Sequence, residues 1–232
     1  KYLEEQGFKP AFLEYLQQFR FSGNILSAAE GEIVFPNEPV MRVEANIIES
    51  QLIESLLLNI INFESLIATK AFRIKLVSGG RPFSDFGLRR AQGFAAMQAS
   101  RASVIGGASS TSNVLAGKKY GIPVSGTQAH SWLQSFDSEL EAFRAYALAH
   151  PGNTTLLVDT YDTLRSGVPN AIVVAKEMET RGHRLKAIRL DSGDLAYLSK
   201  KARKMLDSAG MEYVKIIASN QLNEFVIKTL LK

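Results

Sequence analysis

The sequence predicts an α/β fold in which short parallel strands alternate with helices, and three observations carry that prediction. Six short apolar runs recur along the chain: Phe72 to Val77, Ala102 to Ile105, Ile122 to Val124, Thr155 to Val158, Ala187 to Leu190 and Val214 to Ala218. Each is followed by a helical pattern, and the run ends lie about 19 to 34 residues apart, the spacing of strand-helix-strand crossovers in a parallel sheet. Every run is also followed directly by Gly, Ser or Asp. Periodicity alone leaves a (β/α) barrel and an open doubly wound sheet both open.

Taken in order, the chain begins with a helix around Pro10 to Phe19, where apolar residues recur at helical spacing. The segment Glu32 to Ala45 mixes apolar and polar residues around Pro36 and Pro39, which suits short edge strands. A helix follows over about Ile47 to Ala68. Glu49, Glu54, Asn59, Asn62 and Glu64 interrupt its apolar residues, so it is expected to be a buried amphipathic helix and not a membrane span. The six strand-and-helix units then occupy the rest of the chain.

With 232 residues and 46% hydrophobic content, the chain can bury a sizeable core. Basic residues number 27 against 23 acidic, and no run of Lys or Arg forms a nucleic-acid patch, so no nucleic-acid or membrane partner is expected. The absence of cysteine removes disulfides and thiolate metal sites. No secretory-type segment opens the chain, which makes a cytoplasmic address the default expectation.

The groups after the runs carry the functional argument. They are Ser78-Gly79-Gly80, Gly106-Gly107, Ser125-Gly126-Thr127, Asp159-Thr160-Tyr161-Asp162, Asp191-Ser192-Gly193-Asp194 and Ser219-Asn220. In a parallel α/β fold the C-terminal strand ends line the ligand crevice, so these groups are expected to converge. Any one of them also serves as a turn or helix cap. Six ending alike, with charges on two, favour a site.

Several chemistries are excluded. Gly106 to Thr111 lacks the Gly-Lys-Ser/Thr ending of a P-loop, and Gly117-Lys118-Lys119 lacks the hydroxyl residue that should follow. Asp85-Phe86-Gly87 has no accompanying His-Arg-Asp loop, so a protein kinase is ruled out. The histidines, His130, His150 and His183, are too scattered for a zinc site. His130 closes the group after the third run, and Asp159 and Asp191 each follow an apolar run directly. A carboxylate beside an imidazole fixes its tautomer and favours its charge. Arg89, Arg90 and Arg189 lie near strand ends or helix starts, where guanidinium forks suit phosphate or carboxylate.

Five segments in order then resemble one family. These are Phe83-Ser84-Asp85-Phe86-Gly87-Leu88-Arg89-Arg90-Ala91-Gln92-Gly93; Thr111-Ser112-Asn113; Tyr120-Gly121-Ile122-Pro123 with Gly126-Thr127-Gln128-Ala129-His130-Ser131; Leu157-Val158-Asp159-Thr160-Tyr161-Asp162-Thr163; and Arg189-Leu190-Asp191-Ser192-Gly193-Asp194. Their order and spacing are similar to those of nicotinate phosphoribosyltransferases, over roughly residues 20 to 232.

The resemblance implies an irregular (β/α) barrel of the type II phosphoribosyltransferase kind. Residues 1–71 would be part of an N-terminal α+β domain with its linking helix, and residues 72–232 part of the barrel. It further implies that nicotinic acid and phosphoribosyl pyrophosphate are the substrates, with ATP as co-substrate and Mg2+ bridging the pyrophosphate. Phe86 would stack on the pyridine ring and Arg89 would contact the nicotinate carboxylate or product phosphate. His130 would be phosphorylated from ATP, with Asp159 bonded to its other ring nitrogen. Arg189 and Asp191 would hold the phosphoribosyl moiety, with Gly193 also on the substrate side. Nicotinamide enzymes place an aspartate where this chain has Ser112, and an aspartate would repel a carboxylate, so Ser112 points to nicotinic acid.

The resemblance also implies that the intact protein is a homodimer; members of that family close each site with residues from the second subunit. They open with an Asp-Leu-Tyr segment whose tyrosine reaches the partner's base, and they end in glycine-rich phosphate loops; this sequence contains neither and is expected to be an internal fragment. A nicotinamide or quinolinate phosphoribosyltransferase, or a catalytically silent metabolite-binding fragment, are the alternatives.

Overall fold

A computed structural model describes residues 1–231. Two short helices, α1 (Tyr2–Glu5) and α2 (Pro10–Gln17), lead into an antiparallel pair, β1 (Asn24–Ser27) and β2 (Met41–Glu44), registered Asn24 to Glu44. Pro10 sits in the first turn of α2, where its missing N–H costs nothing. Of the expected edge-strand segment only its end, Met41–Glu44, is extended and paired. Pro36 and Asn37 make a turn instead, Asn37 at φ 71°.

The long helix α3 runs from Ile47 to Val77. Asn46 caps it by accepting from the Glu49 backbone N–H at 2.9 Å. The buried Glu49 carboxylate accepts in turn from the Ser22 N–H (2.8 Å) and hydroxyl (2.9 Å), which ties the N-terminal segment to the helix start. The Ser22 backbone N–H is the main cause holding this carboxyl below its ordinary range, against the opposing effect of burial.

Phe72 to Val77, expected as the first strand, is therefore the last stretch of a helix. Nothing between Ala68 and Val77 breaks it; Gly79 and Gly80, at φ 59° and 78°, come first. The helix is also not buried as expected, since Leu56, Leu58, Leu66 and Leu76 are exposed and only Glu49 and Ala71 are buried. By length and composition alone it is long and apolar enough to cross a membrane, where interruption by polar residues was expected to prevent that.

A second expected strand, Ala102 to Ile105, is the end of α4 (Ala95–Ile105). Its buried residues are Ala96, Met97, Ser100, Ala102 and Ser103, of which Ala96, Met97, Ser100 and Ser103 recur at the spacing of one helix face. The glycines after it mark a helix crossing and not a strand end. A Cβ on Gly106 would lie 2.3 Å from the Ala68 carbonyl of α3 and 2.6 Å from Ala71 Cβ.

The parallel strands begin at β3 (Ser84–Asp85), which pairs with β4 (Ser110–Thr111), and Thr111 bridges Val124 in parallel. The expected strand Ile122 to Val124 is only this bridge. Helices α5 (Val114–Tyr120), α6 (His130–Leu133) and α7 (Glu139–Ala149) follow. Then β5 (Thr155–Leu157), α8 (Val168–Thr180), β6 (Ala187–Leu190), α9 (Leu195–Ser208) and β7 (Lys215–Ala218) make two crossover units with strand order β5-β6-β7. The chain continues into α10 (Glu224–Leu230). The last three expected strands are present nearly to the residue.

The fold is thus α/β, with parallel strands from Ser84 onward. Among the described residues the strands form separate arcs and no closed ring. The core lies between β5, β6 and helices α7 to α9, where Phe143, Leu156, Val158, Val174, Ile188, Leu190 and Leu206 are fully buried. Near-continuous apolar runs are what a parallel sheet covered on both faces requires. Burial of each such side chain stabilises by about 1.5–3 kcal/mol.

Candidate active site

Side chains alternate across a strand, so residues two apart share a face. The register pairs Leu157 of β5 with Arg189 of β6, and Arg189 with Ile217 of β7. Two residues further on, the same face carries Asp159, Asp191 and Ser219 as a row at the C-terminal edge. The ladder continues that far: the Val158 N–H reaches the Arg189 carbonyl (3.1 Å) and the Ser219 N–H reaches the Leu190 carbonyl (2.9 Å). Strand geometry thus brings together residues that lie 60 positions apart in sequence.

Arg189 is at the centre. Its side chain is 14% exposed and each nitrogen has an acceptor: Nε donates to Ser219 Oγ (2.8 Å), Nη1 to Thr127 Oγ1 (2.8 Å) and Nη2 to Asp191 Oδ1 (2.7 Å). The guanidinium lies over the Phe86 ring at 5.4 Å, within cation–π range. Burial of Asp191 opposes its ionisation, but bonds from Ser219 and Arg189, with His130 adding to them, hold its carboxyl below the ordinary value. The charged form of Asp191 is thus favoured beside the Arg189 guanidinium.

His130 begins α6, with Nδ1 3.0 Å from the Thr160 hydroxyl and Nε2 3.5 Å from Asp191 Oδ2. A carboxylate only accepts, so a neutral ring with its proton on Nε2 directs it at Asp191 and can accept from Thr160 at Nδ1. The expected partner was Asp159, and here the structure differs. Asp159 Oδ2 instead accepts from the Asp191 N–H (2.7 Å) and the Ser192 hydroxyl (2.6 Å), folding the Asp191 loop onto β5. Asp191, one residue beyond the central strand β6, is the carboxylate aimed at the imidazole. The second Asp159 oxygen, Oδ1, is buried with no hydrogen-bond partner among the described residues.

Phe86 and Ser112 are neighbours by the same register argument, because Asp85 pairs with Thr111 and each lies one residue on. The Ser112 N–H donates to the Asp85 carbonyl at 2.8 Å. Asp85 also accepts from Gly87 N–H (2.7 Å) and the Thr111 hydroxyl (2.9 Å), which shapes the loop that presents Phe86. Arg89 lies on the 3-10 turn Leu88–Arg90, exposed, and makes no hydrogen bond or ion pair among the described residues. Gly193 has φ 72°, so the turn between Asp191 and the Asp194 cap of α9 needs a residue without Cβ.

The structure joins His130, Asp159, Asp191, Arg189 and Phe86 in one connected cluster, with Ser112 beside Phe86 and Gly193 in the Asp191 loop; Arg89 stays outside the bonded network. Sequence reasoning gave no individual role to Thr127, Thr160, Ser192 and Ser219. All four lie in the strand-end groups, and that position was the only signal available.

Family models match most of the chain: the nicotinate phosphoribosyltransferase N-terminal domain over residues 1–62, and the nicotinate phosphoribosyltransferase family over residues 82–232. The nicotinate phosphoribosyltransferase of Bacillus subtilis is 56% identical over 228 residues, covering 98% of this chain and 46% of the relative. That named pncB2 from Mycobacterium tuberculosis is 50% identical over 233 residues, covering 100% and 50%. The crystal structure of human nicotinic acid phosphoribosyltransferase superposes with a TM-score of 0.90 at 32% identity, covering 98% of this chain and 57% of the human one. The chain spans about half the length of the curated relatives it matches.

Proposed function

The chain belongs to the nicotinate phosphoribosyltransferase family, and from that membership we propose that the protein joins nicotinic acid to phosphoribosyl pyrophosphate. The products are nicotinate mononucleotide and pyrophosphate, formed with coupled ATP hydrolysis, as a salvage step of NAD biosynthesis in the cytoplasm. The observation that supports this reading is the cluster in which Asp191 joins His130 to Arg189, whose guanidinium lies over the Phe86 ring.

The bond from ribose C1 to pyrophosphate breaks with its electron pair leaving on the pyrophosphate oxygen, and the pyridine nitrogen lone pair forms the new bond to C1. The ring nitrogen carries no proton, so no general base is needed. Positive charge develops on the sugar, where the Asp191 carboxylate stabilises it. Phe86 presents an aromatic face that holds the ring in line with C1. Ser112, without negative charge, accepts the nicotinate carboxylate as a neighbour.

With Nδ1 free of the Thr160 hydroxyl, its lone pair attacks the terminal phosphorus of ATP, the bond from that phosphorus to the bridging oxygen breaks and ADP leaves with the electron pair, while Asp191 supports the positive charge that forms on the ring. A phosphoryl group there adds negative charge and acceptor oxygens that couple ATP hydrolysis to substrate affinity.

Among the described residues no cluster of three or more acidic or histidine groups stands ready for a metal. Magnesium keeps its waters and binds one or two carboxylates together with substrate phosphates. The buried, unpartnered Asp159 Oδ1 is the oxygen that fits it. Magnesium would neutralise the leaving pyrophosphate. The intact protein is proposed to be a homodimer, which sedimentation reads directly.

The experiment is a substrate panel on the intact protein, with nicotinic acid, nicotinamide and quinolinic acid, each with and without ATP. Nicotinate mononucleotide formation stimulated by ATP is expected. Preference for nicotinamide or quinolinic acid, or no turnover of any, would overturn the reading.

A further inference from the structure

Ser219 lies one residue beyond β7, on the face shared by Arg189 and Asp191. Its Oγ is 2.8 Å from Arg189 Nε, 2.5 Å from Asp191 Oδ1 and 3.1 Å from the Leu190 carbonyl. A hydroxyl has one hydrogen to give. The carboxylate is the closer and charged acceptor, and the Leu190 carbonyl already receives the Ser219 backbone N–H at 2.9 Å. Ser219 thus accepts from the guanidinium and donates to the carboxylate at once.

This double role has two consequences. Arg189 Nε is occupied, so the guanidinium plane is fixed over Phe86 and the remaining hydrogens on Nη1 and Nη2 are the ones left for a ligand oxygen. Asp191 Oδ1 is held by two donors, so Oδ2 is the oxygen that faces His130. Ser219 is not itself bonded to His130 or to Phe86.

Resting on the functional reading above, we propose that Ser219 is a positioning residue for phosphoribosyl pyrophosphate, fixing Arg189 and Asp191 in the orientation that grips the phosphoribosyl moiety. Ser219→Ala leaves Arg189 Nε without an acceptor and lets both charged side chains turn. The loss falls on the sugar substrate and spares nicotinic acid, whose ring meets Phe86 and Ser112.

The test uses the intact protein with Ser219→Ala, Ser219→Thr and Ser219→Cys. In Ser219→Ala the KM for phosphoribosyl pyrophosphate is expected to rise about tenfold, while the KM for nicotinic acid and the Tm stay near native. Ser219→Thr keeps the hydroxyl and is expected to recover to within about threefold, whereas Ser219→Cys, of similar size but a weak hydrogen-bonding group, stays impaired. A purely space-filling role would make cysteine the better replacement. A native KM for phosphoribosyl pyrophosphate in Ser219→Ala overturns the proposal, and so does equal impairment in alanine and threonine variants. If the alanine variant does not fold, a native KM in the cysteine variant overturns it. Calorimetric titration of phosphoribosyl pyrophosphate reads the same difference without turnover. A native protein that binds the sugar but does not convert nicotinic acid defeats the functional reading alone; equal affinities of native and Ser219→Ala defeat this one.

Discussion

Asp191 Oδ2 faces His130 Nε2 at 3.5 Å, while the other oxygen of the same carboxylate holds Arg189 Nη2 at 2.7 Å. One side chain just past the end of the central strand therefore connects the imidazole to the guanidinium. The two carboxylates of the edge row have separate duties, Asp191 to charge and Asp159 to the loop that carries Asp191.

That division predicts an order of effects on phosphorylation. Asp191→Asn should slow labelling of His130 by ATP more than Asp159→Asn, because the amide removes the anion next to the ring and can force the wrong tautomer. A loss of roughly a hundredfold in kcat/KM is expected for Asp191→Asn. Rapid-quench labelling with ATP checks the order, and a larger effect from Asp159→Asn contradicts the geometry.

His130→Ala should abolish an acid-labile phosphoramidate while sparing the fold. The ring is 39% exposed at the start of a short helix, so its loss opens no core cavity. Slow transfer without ATP stimulation is expected to persist, because Arg189 and Phe86 keep their places. A variant that still incorporates phosphate and retains full stimulation sinks the role given to His130.

Asp191 also sets a pH dependence of stability. Burial opposes its charge, but Ser219, Arg189 and His130 together hold its folded-state value below the unfolded 3.8. A group depressed on folding binds more protons when unfolded, so its stabilisation is complete above the unfolded value and fades as pH falls through the folded one. The Tm difference between native protein and Asp191→Asn should be largest near about pH 6 and shrink below about pH 4. Calorimetric melts across that range measure it; a difference that grows on acidification would falsify the assignment.

Gly167→Ala tests how the fold supports the site. An added Cβ would lie 1.8 Å from the Val158 carbonyl, next to Asp159. Backbone must move to admit it, and a cost of roughly 3 kcal/mol is expected, with loss of activity exceeding the loss of folded protein. Denaturant unfolding against residual activity separates the two.

Ser112→Asp should reverse base preference. An aspartate beside Phe86 repels the nicotinate carboxylate and accepts from an amide, so kcat/KM for nicotinic acid should fall at least about tenfold while that for nicotinamide rises. Unchanged preference in paired assays counts against Ser112 as the discriminating position.

The sequence by itself determined the α/β class, three of the six strands and the helix over Ile47 to Ala68, because apolar periodicity is a local property read within one element. It also marked the strand-end groups from which His130, Asp159, Arg189 and Asp191 come. It misplaced Phe72 to Val77 and Ala102 to Ile105, since a short apolar run fits a buried strand and a helix end equally, and only the crossing of α4 over Ala68 at Gly106 decides between them. Which carboxylate meets His130 was likewise beyond the sequence. Asp159 and Asp191 each follow an apolar run, and choosing between them takes the parallel register that puts Asp191 just past the end of the middle strand. Thr127, Thr160 and Ser219 stayed hidden for the same reason: a hydroxyl acquires its role only from the charged groups that the tertiary fold brings within about 3 Å of it.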